Sequence, residues 1–140
     1  MASFNKFNSF VEALAEKKHD LGADTLKVLL TNAAPIATNT VKANLTEITA
    51  ANGYTAGGAT ASITSSSQTS GTYKLVLGDP ATWTAAGGTI GPFRYAVLYN
   101  DTVTNDELIG WWDYGSSITL AIGESFAVDF DPSTGVLTIA

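Results

Sequence analysis

Beyond Gly22, short runs of β-branched and aromatic residues are separated by turn formers: Thr31-Asn32-Ala33-Ala34-Pro35, Gly87-Gly88, Asn100-Asp101, Gly115-Ser116 and the stretch from Pro132 to Gly135. Runs this short suit strands better than packed helices. The strand-like runs are Leu26–Leu30, Ala59–Ile63, Tyr73–Gly78, Thr82–Thr84, Phe93–Tyr99, Leu108–Tyr114, Ser117–Leu120, Glu124–Phe130 and Val136–Ile139. Their number and rhythm predict a mainly β protein, an antiparallel β-sandwich or jelly roll of about eight strands. The stretch from Thr38 to Ala51 fits a short helix around Val41 to Ile48. Ala59, Ala61 and Ile63 alternate with small polar residues, as an exposed edge strand would.

The first residues have a different period. Phe4, Phe7, Phe10, Val11 and Leu14 recur at spacings of three and four, which predicts one N-terminal α-helix over about residues 4–19. Ser9 with Glu12 has capping-box spacing, Lys17, Lys18 and His19 suit the negative helix end, and Gly22 suits the stop. His19 is expected there as a solvated cap. The expectation is a single domain over residues 1–140, with the sandwich from about residue 25 onward.

Only 14% of residues are charged, against ~25% in soluble domains, while 45% are hydrophobic. A surface so poor in charge suits a protein that faces other proteins. There is no cysteine, which excludes disulfides and thiolate chemistry. No apolar run approaches the ~20 residues of a membrane span, and MASFNKFNSF lacks the pattern of a signal peptide. A soluble protein made in the cytoplasm of its cell, with no membrane partner, is therefore expected. The net charge of −6 falls entirely in residues 71–140, where Lys74 and Arg94 stand against eight acids. That half would repel nucleic acid, and no basic stripe exists to bind it.

Trp111 and Trp112 are neighbours in a strand-like run, so their side chains point to opposite faces. A hairpin with Tyr99 opposite Leu108 would pair Val97 with Gly110, Tyr95 with Trp112 and Phe93 with Tyr114, gathering a core-facing aromatic set. The same register would put Trp111 on the other face with Ala96, Leu98 and Ile109, ended by an Arg94–Asp113 pair. A face this apolar needs a cover, either the N-terminal helix or a partner. Trp111, Leu98, Ile109, Arg94 and Asp113 are thus the candidate partner-contact residues.

Catalytic chemistry has little to build on. His19 is the only histidine, and no Gly-x-Ser-x-Gly elbow, P-loop or dinucleotide fingerprint is present. The run from Asp129 to Gly135 departs from a calcium loop in its glycine position and lacks the closing glutamate, so it reads as a hairpin loop between the last two strands. Asp101, Asp106, Glu107 and Asp113 contain spacings open to a carboxylate pair, yet three of them lie in a turn-like segment where acids are usually solvated. The expectation is a protein that is not an enzyme and holds no cofactor or metal.

The segments ADTLKVLLTNAAP, NGYTAGG, SGTYKLVLGD, GGTIGPFRYAVLYND, LIGWWDYGSSITLAIGESFAVDFD and GVLTIA resemble a group of small virion structural proteins of tailed bacteriophages. The resemblance extends over nearly the whole chain. It implies a capsid decoration, or cement, protein: a small β-sandwich on the outside of the head that bridges neighbouring capsid subunits. The implied partners are the major capsid protein and the chain itself, as a dimer or trimer, and the implied location is the virion surface. None of these segments is an active-site signature, so no residue roles follow from it. Two other readings stay open: a tail component (tube, tip or fibre-associated domain), and a carbohydrate-binding receptor-recognition module with Trp111 as its platform.

Overall fold

The turn formers end most strands where their chemistry places them, and the computed structural model, which describes residues 2–140, is mainly β. Ten strands and one α-helix follow in the order β1 (Asn5–Lys6), α1 (Ser9–Ala15), β2 (Leu26–Thr31), β3 (Ala59–Ala61), β4 (Ile63–Thr69), β5 (Thr72–Leu77), β6 (Trp83–Thr84), β7 (Ile90–Asn100), β8 (Leu108–Leu120), β9 (Ser125–Phe126) and β10 (Leu137–Ile139). They form a five-stranded sheet in the order β1-β8-β7-β2-β3, a three-stranded sheet β10-β5-β4 and a two-stranded ribbon β6-β9. Every ladder is antiparallel.

The main core lies between the sheets. Leu26, Val28 and Leu30 of β2, Phe93 and Leu98 of β7 and Ile109 of β8 meet Leu75 and Leu77 of β5 there. Leu29 points to the opposite face of the five-stranded sheet, where Phe7, Val97, Tyr99 and Leu108 form a second cluster joined by Leu45 and Trp111. Being buried on both faces explains why β2 reads LKVLLT, a nearly continuous apolar run. The chain between β2 and β3 crosses this outer face, donating Lys42 N–H to Asp106 O at 3.0 Å and accepting Leu108 N–H at Thr40 O, also 3.0 Å. Its helical content is one 3-10 turn, Lys42–Asn44, in place of the expected helix over 41–48.

The N-terminal helix is shorter than the phenylalanine spacing predicts. α1 covers Ser9–Ala15, while Asn5–Lys6 is extended and pairs with β8, Asn5 opposite Trp111 and Lys6 opposite Gly110. Sheet pairing at the open edge of β8 outweighs the helical pattern, because an extended segment sends Phe4 and Phe7 to opposite faces of the sheet. Phe4 lies 5.2 Å from the Trp112 ring and Phe7 4.5 Å from Trp111. Gly110 makes room for this, since a Cβ there would overlap the Phe4 ring and stand 2.7 Å from the Asn5 carbonyl oxygen. The Ser9–Glu12 capping box does not form: the cap is Asn8, without a side-chain hydrogen bond, and Ser9 Oγ has no partner.

Two other boundaries move. β8 continues through Gly115-Ser116 as an irregular stretch: the ladder with β7 breaks between Asp113, opposite Tyr95, and Ile118, opposite Phe93, and resumes as far as Leu120 opposite Ile90. The run Glu124–Phe130 pairs only at Ser125–Phe126, with Trp83–Thr84 as partner. β9 therefore pairs with β6 and β10 with β5, and the Asp129–Gly135 stretch is a crossing between sheets, not a hairpin. Asp131 Oδ1 accepts from Ser133 N (2.7 Å) and Ser133 Oγ (2.6 Å), and these bonds hold its carboxyl down at about 2.

Candidate functional site: an aromatic cleft beside the tryptophan pair

A bulge decides where the tryptophans go. Tyr99 stands opposite Leu108 as expected, but Leu98 then pairs with Gly110, which leaves Ile109 as the extra residue. A one-residue slip turns every following side chain to the other face. Beyond it Val97 faces Trp111, Ala96 faces Trp112 and Tyr95 faces Asp113. Leu98 and Ile109 accordingly lie in the inter-sheet core, each 0% exposed, and cannot contact a partner as the unbulged register implied. Trp111 sits on the other face with Val97 and Tyr99, half-buried, and Phe7 packs on it.

Arg94 and Asp113 do meet, although the register no longer sets them directly opposite. The guanidinium grips the carboxylate with two bonds, Nε to Oδ1 at 2.7 Å and Nη2 to Oδ2 at 2.9 Å. This pairing, helped by the Gly115 N–H, keeps the Asp113 carboxyl below its usual range. Arg94 also lies over the Tyr95 ring at 5.4 Å.

Trp112 packs against the main core but is only half-buried, because it walls a cleft of about 260 Å³ between the five-stranded sheet and the 126–136 segment. Leu30 and Phe93, both buried, line its inner part. Two groups of aromatic rings line it: Phe4 lies 5.2 Å from Trp112 and Trp112 5.4 Å from Phe130, while Phe126 lies 4.9 Å from Phe93 and 5.9 Å from Tyr114. Tyr114 is 58% exposed, and Arg94, Asp129 and Asp131 are the charged residues of the lining. Phe93, Tyr95, Trp112 and Tyr114, the set expected to face the core, all line this cleft instead, and of the four only Phe93 is fully buried. The available signal for the cleft was the alternation Phe126-x-Val128-x-Phe130, which sends three apolar side chains to one face of an extended segment.

Ion pairs redistribute the acidic half. Lys27 binds Asp101 at 2.9 Å, Lys42 binds Asp106 at 3.6 Å and Lys18 binds Glu107 at 3.4 Å, so lysines of the first half neutralise the 101–107 loop. Glu107, expected to be solvated, is buried. With Asp113 held by Arg94, the carboxylates of residues 71–140 that have no ion pair among the described residues are Asp79, Glu124, Asp129 and Asp131.

His19 is also buried, at 5% exposure, and is not the solvated cap its lysine neighbours suggested. Asn100 Oδ1 accepts the Thr102 N–H at 3.0 Å, so its amide nitrogen faces Asp24 Oδ2 at 2.6 Å and His19 Nδ1 at 3.1 Å. Nδ1 must then accept, which puts the ring proton on Nε2, an atom with no partner. Burial lowers the His19 pKa from 6.5, against the opposing pull of Glu107 and Asp24 and with a smaller push from Lys18. Below about pH 6.5 the unfolded chain binds a proton more readily than the folded chain, so stability falls as the pH falls, by at most ~1.4 kcal/mol per unit. Urea unfolding at pH 7.5 and 5.5 is expected to show this loss, and His19→Gln to reduce it; an unchanged loss in the variant would place the titration elsewhere.

Among the described residues no three His, Asp or Glu side chains converge as metal ligands, and no helix is long and apolar enough to cross a membrane. Comparison with protein-family models, with curated proteins and with solved structures finds no match.

Proposed function

We propose that the chain is a structural protein of a tailed-bacteriophage virion, a decoration protein that binds the outside of the head and bridges capsid subunits. The observation that carries this reading is the uncharged rim of the sandwich. β3 is one edge of the five-stranded sheet, opposite β1, and β4 one edge of the three-stranded sheet, opposite β10, and they are successive pieces of one stretch, Ala59 to Thr69. From Ile48 to Tyr73 the chain has no charged residue. Exposed edges in free-standing proteins are usually protected by charge or proline, because their unpaired backbone groups recruit other strands. A rim that lacks this protection suits a protein that works in contact with others, and the resemblance of its segments to phage virion proteins indicates which others.

Many copies on a shell turn modest contacts into a large total gain, so high affinity of each copy is not needed. The sugar-platform reading loses its footing at Trp111, which lies under Phe7. Sedimentation of the labelled protein with separated heads and tails of the phage that encodes it tests the proposal. Saturable binding to heads at hundreds of copies per particle is the expected result, and Ser65→Lys with Ser67→Lys on the β4 edge should weaken it. Binding confined to tails would overturn the head assignment.

A further inference from the structure

We infer that the aromatic cleft is a binding site for an alkylammonium group, either the side chain of a lysine presented by another protein or a small quaternary ammonium compound. The inference is independent of the virion reading. It rests on the union of an aromatic wall, an open end and an unbalanced charge in one place.

Aromatic faces carry negative potential and attract cations, most strongly where water is partly excluded. Here Trp112, Phe130, Phe126 and Tyr114 line one cavity, with Tyr114 exposed and Phe93 buried. A core that merely packed would close on itself, since interiors are filled to crystal-like density. The cleft instead stays open to solvent where its charged residues lie. Arg94 would repel a cation, but both its bonds go to Asp113 and its face lies on Tyr95. Lys74, tied to the Ser133 carbonyl at 2.9 Å, is not part of the lining. Asp129 and Asp131 remain, without ion pairs among the described residues, and the Ser133 bonds keep Asp131 ionised across the physiological range.

A neutral apolar guest would gain from the rings but nothing from these carboxylates, and an anion would be repelled by them. A sugar would want several directed hydrogen bonds, whereas the lining is dominated by rings and aliphatic groups. The guest that uses every part of the site has an apolar body for the rings and a positive charge for the rim.

The test compares charged guests with uncharged ones of the same shape on the intact chain. Choline is set against 3,3-dimethylbutan-1-ol, and a short lysine peptide against its norleucine counterpart. Binding is followed at the Trp112 indole NMR signal, assigned by its loss in Trp112→Phe. A saturable shift is expected with at least one cation, about tenfold or more tighter than with its uncharged isostere. Stronger binding by the peptide identifies a protein lysine as the source, and stronger binding by choline identifies a small ligand. Asp129→Asn with Asp131→Asn should weaken the cation severalfold and leave the isostere unchanged. Equal affinity for charged and uncharged guests, or no saturable shift with either cation, would overturn the proposal. That comparison uses the unaltered protein, so it stands even if the paired substitution disturbs the 131–134 turn.

Discussion

Replacing Phe7 with alanine is expected to destabilise the protein by about 3–5 kcal/mol, the usual cost of emptying a fully buried aromatic site. Phe7 is 0% exposed and stands at the junction of β1 and α1, where its N–H also donates to Ile109 O at 3.2 Å. Its ring is the cover over Trp111, joined to a small cluster of Leu29, Val97, Tyr99 and Leu108. That cluster has few members, so little can collapse into the space. Denaturant unfolding of Phe7→Ala measures the loss, and tryptophan emission should move to longer wavelength as Trp111 gains water. The Trp111→Phe background should lack that emission shift. A loss under ~1 kcal/mol would mean that the N-terminal strand is not held to β8 and that Trp111 is free for a partner.

Gly58→Ala is expected to be at least as damaging, about 4 kcal/mol or more, enough to leave little folded protein at 37 °C. Gly58 has φ +75°. A Cβ there would lie 2.7 Å from the Val28 carbonyl carbon and 2.8 Å from Leu29 Cα, closer still to the Val28 oxygen. These are backbone atoms of β2, a strand with neighbours on both sides, and no side-chain rotation relieves the overlap. The loop cannot retreat without loss either. Tyr99 donates its hydroxyl proton to Gly57 O at 2.8 Å, and Glu47 accepts from Gly57 N and from the Tyr54 hydroxyl, each at 2.6 Å. Burial raises the pKa of both tyrosines, so each keeps its proton at neutral pH. Thermal unfolding of Gly58→Ala beside Gly87→Ala isolates the steric part. Gly87 has nearly the same φ, +76°, with nothing near its missing Cβ. Equal losses at the two positions would reduce the effect to backbone strain alone.

The sequence by itself determined the β class, the antiparallel pairing, the positions of β2, β5, β7 and the first half of β8, and the presence of one N-terminal helix. Those features follow from local chemistry: alternation, turn formers and β-branched residues act within a few positions and need no knowledge of distant partners. It also determined that Arg94 and Asp113 would meet, because a hairpin with a short connection brings its own two strands together.

Only the tertiary structure decided which face each residue of that hairpin took. One extra residue at Ile109 moved Leu98 and Ile109 into the core and put Trp111 on the opposite side with Val97 and Tyr99. Nothing in the composition of LIGWWDYG marks the bulge, since Leu108, Ile109 and Gly110 fit either register locally. The same holds for Phe4 and Phe7, whose spacing is helical but whose partner is the unpaired edge of β8. The burial of His19 follows from Asn100 and Asp24, 81 and 5 residues distant along the chain. The aromatic cleft needs Phe4, Trp112 and Phe126 at one point. Contacts of that range depend on how two sheets pack, and packing is a property of all the side chains together, which a pattern read along one strand does not contain.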